Sequence, residues 1–338
     1  MKIISILAGL LVLSIPVLAE TASPSPIVVT PSATPNTLGG SLLMPEFKVV
    51  KYIDLSNIPE ATLQMWGLAY DSTTDSLWVT NFGGKADGKL YRISKNPGGD
   101  GKAVILQGPI TLTGNVPPFA LGIAFGKYQS QDNGLWLGGA NQSYQFIADP
   151  KVGNVKWVDY INIWSKNGSA GNGVGYNRKL DFLYMCDAAT VQVPSGMDQI
   201  AWTVKPDKGT KWEYITFKKI CGLECSWNAT DTPKQLFAME REWEKAEESE
   251  LFGFWLVDGK PVFASWSVKV PGTKITGTNP NYFNLTADMT FDGHYFYIMV
   301  QESEHSNPAV DTIYICEWTA AGENIESASL GEIKATYK

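Results

Sequence analysis

Histidine is almost missing from this chain: 338 residues contain two, His294 and His305. A paired-histidine base or a histidine-rich metal cluster is therefore excluded. His294 falls in an Asp292-Gly293-His294 turn and His305 in the segment QESEHSNP, so both read as solvated loop residues. Charge is sparse too, at 18% of residues, and leans acidic: 27 Lys and Arg against 34 Asp and Glu leave a formal net charge of −7. That balance argues against nucleic acid as a partner, because phosphate binding needs a basic surface. After the first residues no apolar run is long enough to span a bilayer. No GxSxG elbow, P-loop or dinucleotide fingerprint stands in a strand–turn–helix context. Long helix-forming runs are scarce, whereas Gly (32), Trp (12), Tyr (14) and Phe (14) are plentiful. With 44% hydrophobic residues the chain is too apolar to be disordered, and the mix leans towards an all-β architecture.

The N-terminus has a different character. Lys2 is followed by an apolar stretch, Ile3 to Leu18, and Val17-Leu18-Ala19 precedes Glu20. This predicts a secretory signal peptide over residues 1–19, and hence an extracellular protein. Residues 20–45, including TASPSPIVVTPSATPNTLGGSL, lack helical or strand periodicity and read as a disordered, O-glycosylation-prone stalk. Sequons at Asn141, Asn167, Asn228 and Asn284 fit a glycoprotein.

From residue 46 to 338 the chain repeats itself. The first unit reads WGLAYD, SLWVTN, KLYRIS and KAVILQ; the second LGIAFG, GLWLGG, YQFIAD and VKWVDY; the third NGVGYN, DFLYMCD, QIAWTV and EYITFK. The fourth unit is diverged (CSWNATD, QLFAME, FGFWLV, PVFASW), and the fifth reads ADMTFD, YFYIMV and TIYICEW before a weaker C-terminal segment. Four short β-branched or aromatic runs per unit, punctuated by turn residues, predict a five-bladed β-propeller with four antiparallel strands per blade. EFKVVKYIDL (46–55) has no innermost strand before it and is expected to complete the last blade and close the ring. A six-bladed ring lacks a complete unit between 260 and 285, and a two-sheet sandwich is the structural rival. Innermost strands should turn small residues to the channel, as at Gly67/Ala69, Gly122/Ala124 and Gly173/Gly175; the last two units would place Ser226/Asn228 and Asp288/Thr290 there.

The run WGLAYDSTTDSLWVTNFGGKADGKLYRIS and its echoes resemble the superfamily of SMP-30/gluconolactonase, streptogramin-lyase-like and NHL-type propellers. The SMP-30-like resemblance implies one divalent metal held by acidic and amide side chains at the channel mouth, where Asp187, Glu240, Asn141 and Asp288 would stand. The chain departs from that pattern: Gln64-Met65-Trp66 brings no acid into the first blade, and there is one unit fewer.

Propeller ligands meet the face built by loops entering each first strand and loops joining second to third strands. Mapping the repeats onto that face selects Trp66, Asn81, Asn141, Asp187, Glu240, Trp243 and Gln301 as ligand-binding candidates. Glu224 is collected on the same face. Oxygen-bearing side chains converging on an axis suit sugar hydroxyls or a hard cation, and Asp187, Glu240 and Asp288 form the metal or catalytic set for Ca²⁺ or Mg²⁺. The acidic run MEREWEKAEESE (239–250) and QESEHS (301–306) would load one side of the mouth with negative charge. Trp78, Trp136 and Trp157 sit inside strand runs and are expected to pack. Of the four cysteines, Cys221 and Cys225 in CGLEC, read as a connector between blades, are the first choice for a disulfide and Cys186–Cys225 the second; Cys316 reads as a buried thiol. Two function classes follow. One is a monomeric binding module for a small polar ligand, glycan or extracellular protein; the other is a metal-dependent lactonase- or esterase-type hydrolase or lyase.

Overall fold

The computed structural model describes residues 46–59, 65–81, 88–114, 120–139, 143–160, 171–187, 197–206, 213–218, 220–225, 235–240, 248–273, 285–303 and 310–319. The expected signal peptide and stalk lie outside the described residues. Strand β1 (Glu46–Asp54) comes first in the chain but belongs to the last sheet. Blade one holds β2 (Met65–Asp71), β3 (Ser76–Asn81), β4 (Lys89–Ser94) and β5 (Ile105–Thr111). The two-residue β6 (Thr113–Gly114) lies parallel against the outer edge of blade two, which holds β7 (Ala120–Tyr128), β8 (Gln131–Gly139), β9 (Ser143–Asp149) and β10 (Asn154–Tyr160). Blade three is β11 (Gly171–Asn177), β12 (Phe182–Asp187), β13 (Met197–Val204) and β14 (Glu213–Lys218). Blade four is β15 (Ile220–Cys225), β16 (Gln235–Glu240), β17 (Glu250–Val257) and β18 (Lys260–Lys269). Blade five is β19 (Leu285–Phe291), β20 (Tyr295–Ser303) and β21 (Val310–Thr319), completed by β1. Innermost strands touch their neighbours all the way round, from β2 through β7, β11, β15 and β19 back to β2. The protein is a five-bladed β-propeller.

Ring closure follows the sequence expectation. β1 pairs antiparallel with β21 from Glu46 opposite Thr319 to Asp54 opposite Thr312, so the N-terminal strand finishes the sheet that the C-terminal strands begin. Among the described residues no helix is long and apolar enough to cross a membrane.

Alternation on each middle strand explains why blades stack. In SLWVTN, Leu77 and Val79 face the cluster shared with blade five, while Trp78 faces the one shared with blade two. Both faces of the strand are buried, so each sheet needs a neighbour on either side. Five hydrophobic clusters fill the five gaps between blades. Trp78 and Trp136 pack in them as expected, at 2% and 0% exposure; the Trp157 side chain lies outside the described residues.

Two expectations need correction. The fourth blade's innermost strand is ICGLEC (β15) and not CSWNATD, so CGLEC is no connector. β14 ends at Lys218 and β15 begins at Ile220, which leaves no room for one. Gly222 therefore takes the place given to Ser226. A Cβ there would stand 2.8 Å from the Met289 nitrogen and 3.0 Å from Asp288 Oδ1, so the approach of β15 to β19 requires glycine. Asn228 lies outside the described residues, and the inward position expected for it belongs to Glu224.

The second correction concerns the disulfides. All four cysteines are free and buried. Cys221 and Cys225 sit four residues apart on one extended strand, about 13 Å, and a bridge needs Cα atoms within about 7 Å. Cys186 donates its thiol to the Ile220 carbonyl at 3.3 Å, at the opposite end of β15 from Cys225, so the second pairing fails for the same reason. Burial pushes the Cys225 and Cys316 thiols up and keeps them unreactive. A thiol-specific disulfide reagent is expected to find four thiols per chain after denaturation and none in the native state; two missing thiols would restore a bridge.

Candidate functional site

The pairing register builds one end of the propeller with fivefold regularity. The pairs Met65–Asn81, Ala120–Gly139, Gly171–Asp187, Ile220–Glu240 and Leu285–Gln301 stand at the same rim, the start of each innermost strand facing the end of its second strand. This is the mouth, and it confirms Asn81, Asp187, Glu240 and Gln301 as one column of strand ends. Immediately inside it every innermost strand breaks register, between Met65 and Gly67, Ala120 and Ile123, Gly171 and Val174, Ile220 and Gly222, and Thr286 and Asp288. Such bulges sharpen the local twist and re-aim side chains. In blade one the bulged residue is Trp66, half-buried against the cluster of blades one and five.

The column divides by task. Gln301 donates its amide Nε2 to the Met65 carbonyl at 3.0 Å, and Asp311 Oδ2 accepts the Met65 amide at 2.8 Å. Blade five thus satisfies both backbone groups of Met65 and seals its seam with blade one. Glu240 is buried, and its Oε2 accepts the Glu250 amide at 3.2 Å. Asn81 is 8% exposed. Asp187 ends β12 at the rim, while its side chain, Asn141 and Trp243 lie outside the described residues.

Below the rim the channel is stopped. Asp288 is fully buried three residues down β19 from Leu285, about 10 Å. Its Oδ2 accepts the amides of Leu68 at 2.9 Å and Ile123 at 3.3 Å, and Oδ1 accepts its neighbour Met289 at 2.9 Å. One carboxylate therefore joins the innermost strands of blades five, one and two. Thr290 accepts the Tyr70 amide at 2.9 Å and donates to Glu224 Oε2 at 2.7 Å, while Glu224 Oε1 accepts the Cys225 amide at 2.8 Å. The inward placing of Asp288 and Thr290 agrees with the sequence reading. That of Glu224 does not: it faces the buried channel, opposite Phe237, far along β15 from the rim residue Ile220. Burial pushes the Glu224 carboxyl up to about 7, and burial together with the Glu224 charge pushes Asp288 upward against its three amide donors.

Of the proposed set of Asp187, Glu240 and Asp288, the side chains of Glu240 and Asp288 are described and that of Asp187 is not. Asp288 spends both oxygens on amides in the channel, whereas Glu240 turns to β17 at the rim. Among the described residues no three His, Cys, Asp or Glu are grouped to hold a metal. Glu224 is the polar residue that the sequence reading misplaced. Spacing carried no signal for it: Gly222 lies 49 residues after Gly173 and Ser226 lies 53, equally far from the 51-residue step between Gly122 and Gly173.

No family model and no curated protein matches the chain. Several solved structures are distantly similar to it. A nidogen/laminin complex is 12% identical over 77% of this chain and 87% of that one, with a TM-score of 0.42. A gluconolactonase from Xanthomonas campestris is 10% identical over 88% and 99%, at 0.41. A glycosyl hydrolase from Bacteroides ovatus is 9% identical over 79% and 94%, at 0.44. The five-bladed architecture rests on the strand pairing described above and not on these likenesses.

Proposed function

We propose that this is a secreted, monomeric propeller that binds a small polar ligand or glycan, free or carried on an extracellular protein, in the bowl at its mouth. The observation that carries the reading is the asymmetry of the two ends. In blades one, two, three and five the first and second strands are joined at the far end by short links, residues 72–75, 129–130, 178–181 and 292–294. At the mouth the strand ends are separated by longer stretches of chain, residues 161–170, 188–196, 241–249 and 270–284. Variable connections on a rigid scaffold are where binding groups concentrate, and the floor beneath them is closed by Asp288. Trp66, half-buried at the rim next to the Met65–Asn81 pair, offers an aromatic surface of the kind that suits sugar rings.

The purified protein is expected to bind at least one member of a glycan array, and Trp66→Ala or Trp243→Ala to weaken that binding about tenfold. Two folded variants that bind like the parent would remove the site from the mouth.

A second reading, a metal-dependent hydrolase or lyase, draws support from Asp187 and Glu240 occupying equivalent rim positions on adjacent blades. It predicts that excess Ca²⁺ or Mg²⁺ raises the melting temperature relative to chelator, and that Asp187→Asn with Glu240→Gln abolishes the rise. An unchanged melting temperature sinks this reading.

A further inference from the structure

A separate concavity lies at the far end of the propeller, between blades two and three. Its walls are Lys127, Tyr128 and Gln129 at the end of β7, Asp181 in the β11–β12 turn, and Lys205 and Pro206 after β13. It encloses about 200 Å³, below the usual range of drug-sized pockets and fitting a molecule the size of one sugar ring. Tyr128 is held edge-on to Trp136 at 5.4 Å and receives a hydrogen bond from Gln129 Nε2 at 2.9 Å, so its ring forms a fixed wall.

The charge of this corner is opposite to that of the chain. Neither the Lys127 nor the Lys205 ammonium has an ion-pair partner among the described residues. The one lining carboxylate, Asp181, accepts the Tyr176 hydroxyl. Arg178, outside the lining, stands over the Phe125 ring at 5.2 Å and donates to the Asp132 carbonyl and to Asn133 Oδ1. Two lysine ammoniums against one occupied carboxylate make the lining of the cleft positive on a protein of net charge −7.

The backbone around it is unusual as well. Gln129 and Lys205 lie at φ of 52° and 49°, a region that residues other than Gly, Asn and Asp rarely enter. Lys205 is held there by its amide, which donates to the Asp181 carbonyl at 2.6 Å and ties the end of β13 to the β11–β12 turn. Strain of this kind persists where the surroundings fix the geometry, and here it sets both residues at the lip of the cleft.

We infer that this cleft binds a small organic anion on a polar ring, of the uronic-acid monosaccharide type: carboxylate to Lys127 and Lys205, ring against Tyr128, hydroxyls to Gln129. Titration of the purified protein with D-glucuronate, followed by calorimetry, is expected to give saturable binding with a dissociation constant of order 1 mM. Glucose at the same concentrations should not bind, and inorganic phosphate should bind more weakly than glucuronate. Lys205→Glu should weaken binding about tenfold or more, and Trp66→Ala at the mouth should leave it unchanged. Lys205 is exposed and outside the strands; Lys127→Met serves as a second variant if the first melts early. No glucuronate binding, equal binding of glucose or phosphate, or full affinity in both lysine variants would overturn the assignment.

Discussion

The melting temperature is expected to fall by roughly 5–10 °C as pH rises from 5 to 8, and Glu224→Gln to reduce that slope. The cause is the carboxyl in the channel. Glu224 is raised from 4.5 to about 7 by burial, with Thr290 and the Cys225 amide only partly offsetting the lost water. A carboxyl whose folded pKa lies above its unfolded one favours the native state while protonated. Its contribution is fully present below about 4.5 and is lost as pH climbs through 7, an effect of about 3 kcal/mol. Asp288, pushed in the same direction, adds to the slope with the same sign.

The opposite seam limits the gain at the acid end. Lys95 bridges Asp75 at 2.7 Å and Asp292 at 3.1 Å, and both carboxyls lie below their usual value of 3.8. For Asp292 backbone amides and Lys95 outweigh burial, and for Asp75 the Lys95 hydrogen bond does. Their contribution is present above 3.8 and lost as pH falls below it, so stability should peak between about pH 4 and 5.5. Gln at 224 keeps the shape and can donate to the second lone pair of Thr290 while losing the titration. A thermal scan across pH, parent against variant, decides the matter; a flat parent profile would mean that water or a bound cation reaches the channel.

Much of this architecture was legible in the residues because a propeller blade repeats its burial pattern. WGLAYD, LGIAFG and NGVGYN share small residues at the inward positions, and those positions meet neighbouring strands or the channel. The strand EFKVVKYIDL could be assigned to the last blade because no innermost strand precedes it in the chain. Blade four was misread for a physical reason. A charged residue inside an innermost strand violates the rule that small side chains line the channel, so Glu224 made ICGLEC resemble a linker and the cysteines a bridge. Sequence pattern reports burial and period. It does not report that Thr290, one strand away, supplies the hydrogen bond that lets a carboxyl sit there.

The mouth was legible as a column of strand ends, since Asn81, Asp187, Glu240 and Gln301 follow from counting along the repeats. Their tasks were not. Gln301 serves the Met65 carbonyl and Glu240 the Glu250 amide, contacts across 236 and 10 residues that no local pattern carries.

Asp288→Ala is expected to be the most damaging single change, lowering stability by about 3 kcal/mol or more at pH 5, where Asp288→Asn should cost clearly less. Alanine leaves the buried amides of Leu68 and Ile123 without an acceptor, each worth about 1–3 kcal/mol once orphaned. It also opens space beside Gly222, where β15 and β19 approach most closely. Asparagine keeps an oxygen for Leu68 and Ile123 and fills the same volume, giving up only the charge and the bond to Met289. The difference between the two variants, read from denaturant midpoints at unchanged slope, isolates what the amide acceptors contribute. If alanine proves no worse than asparagine, the three innermost strands are held by apolar packing between blades alone, and the carboxylate at the axis is there for another purpose.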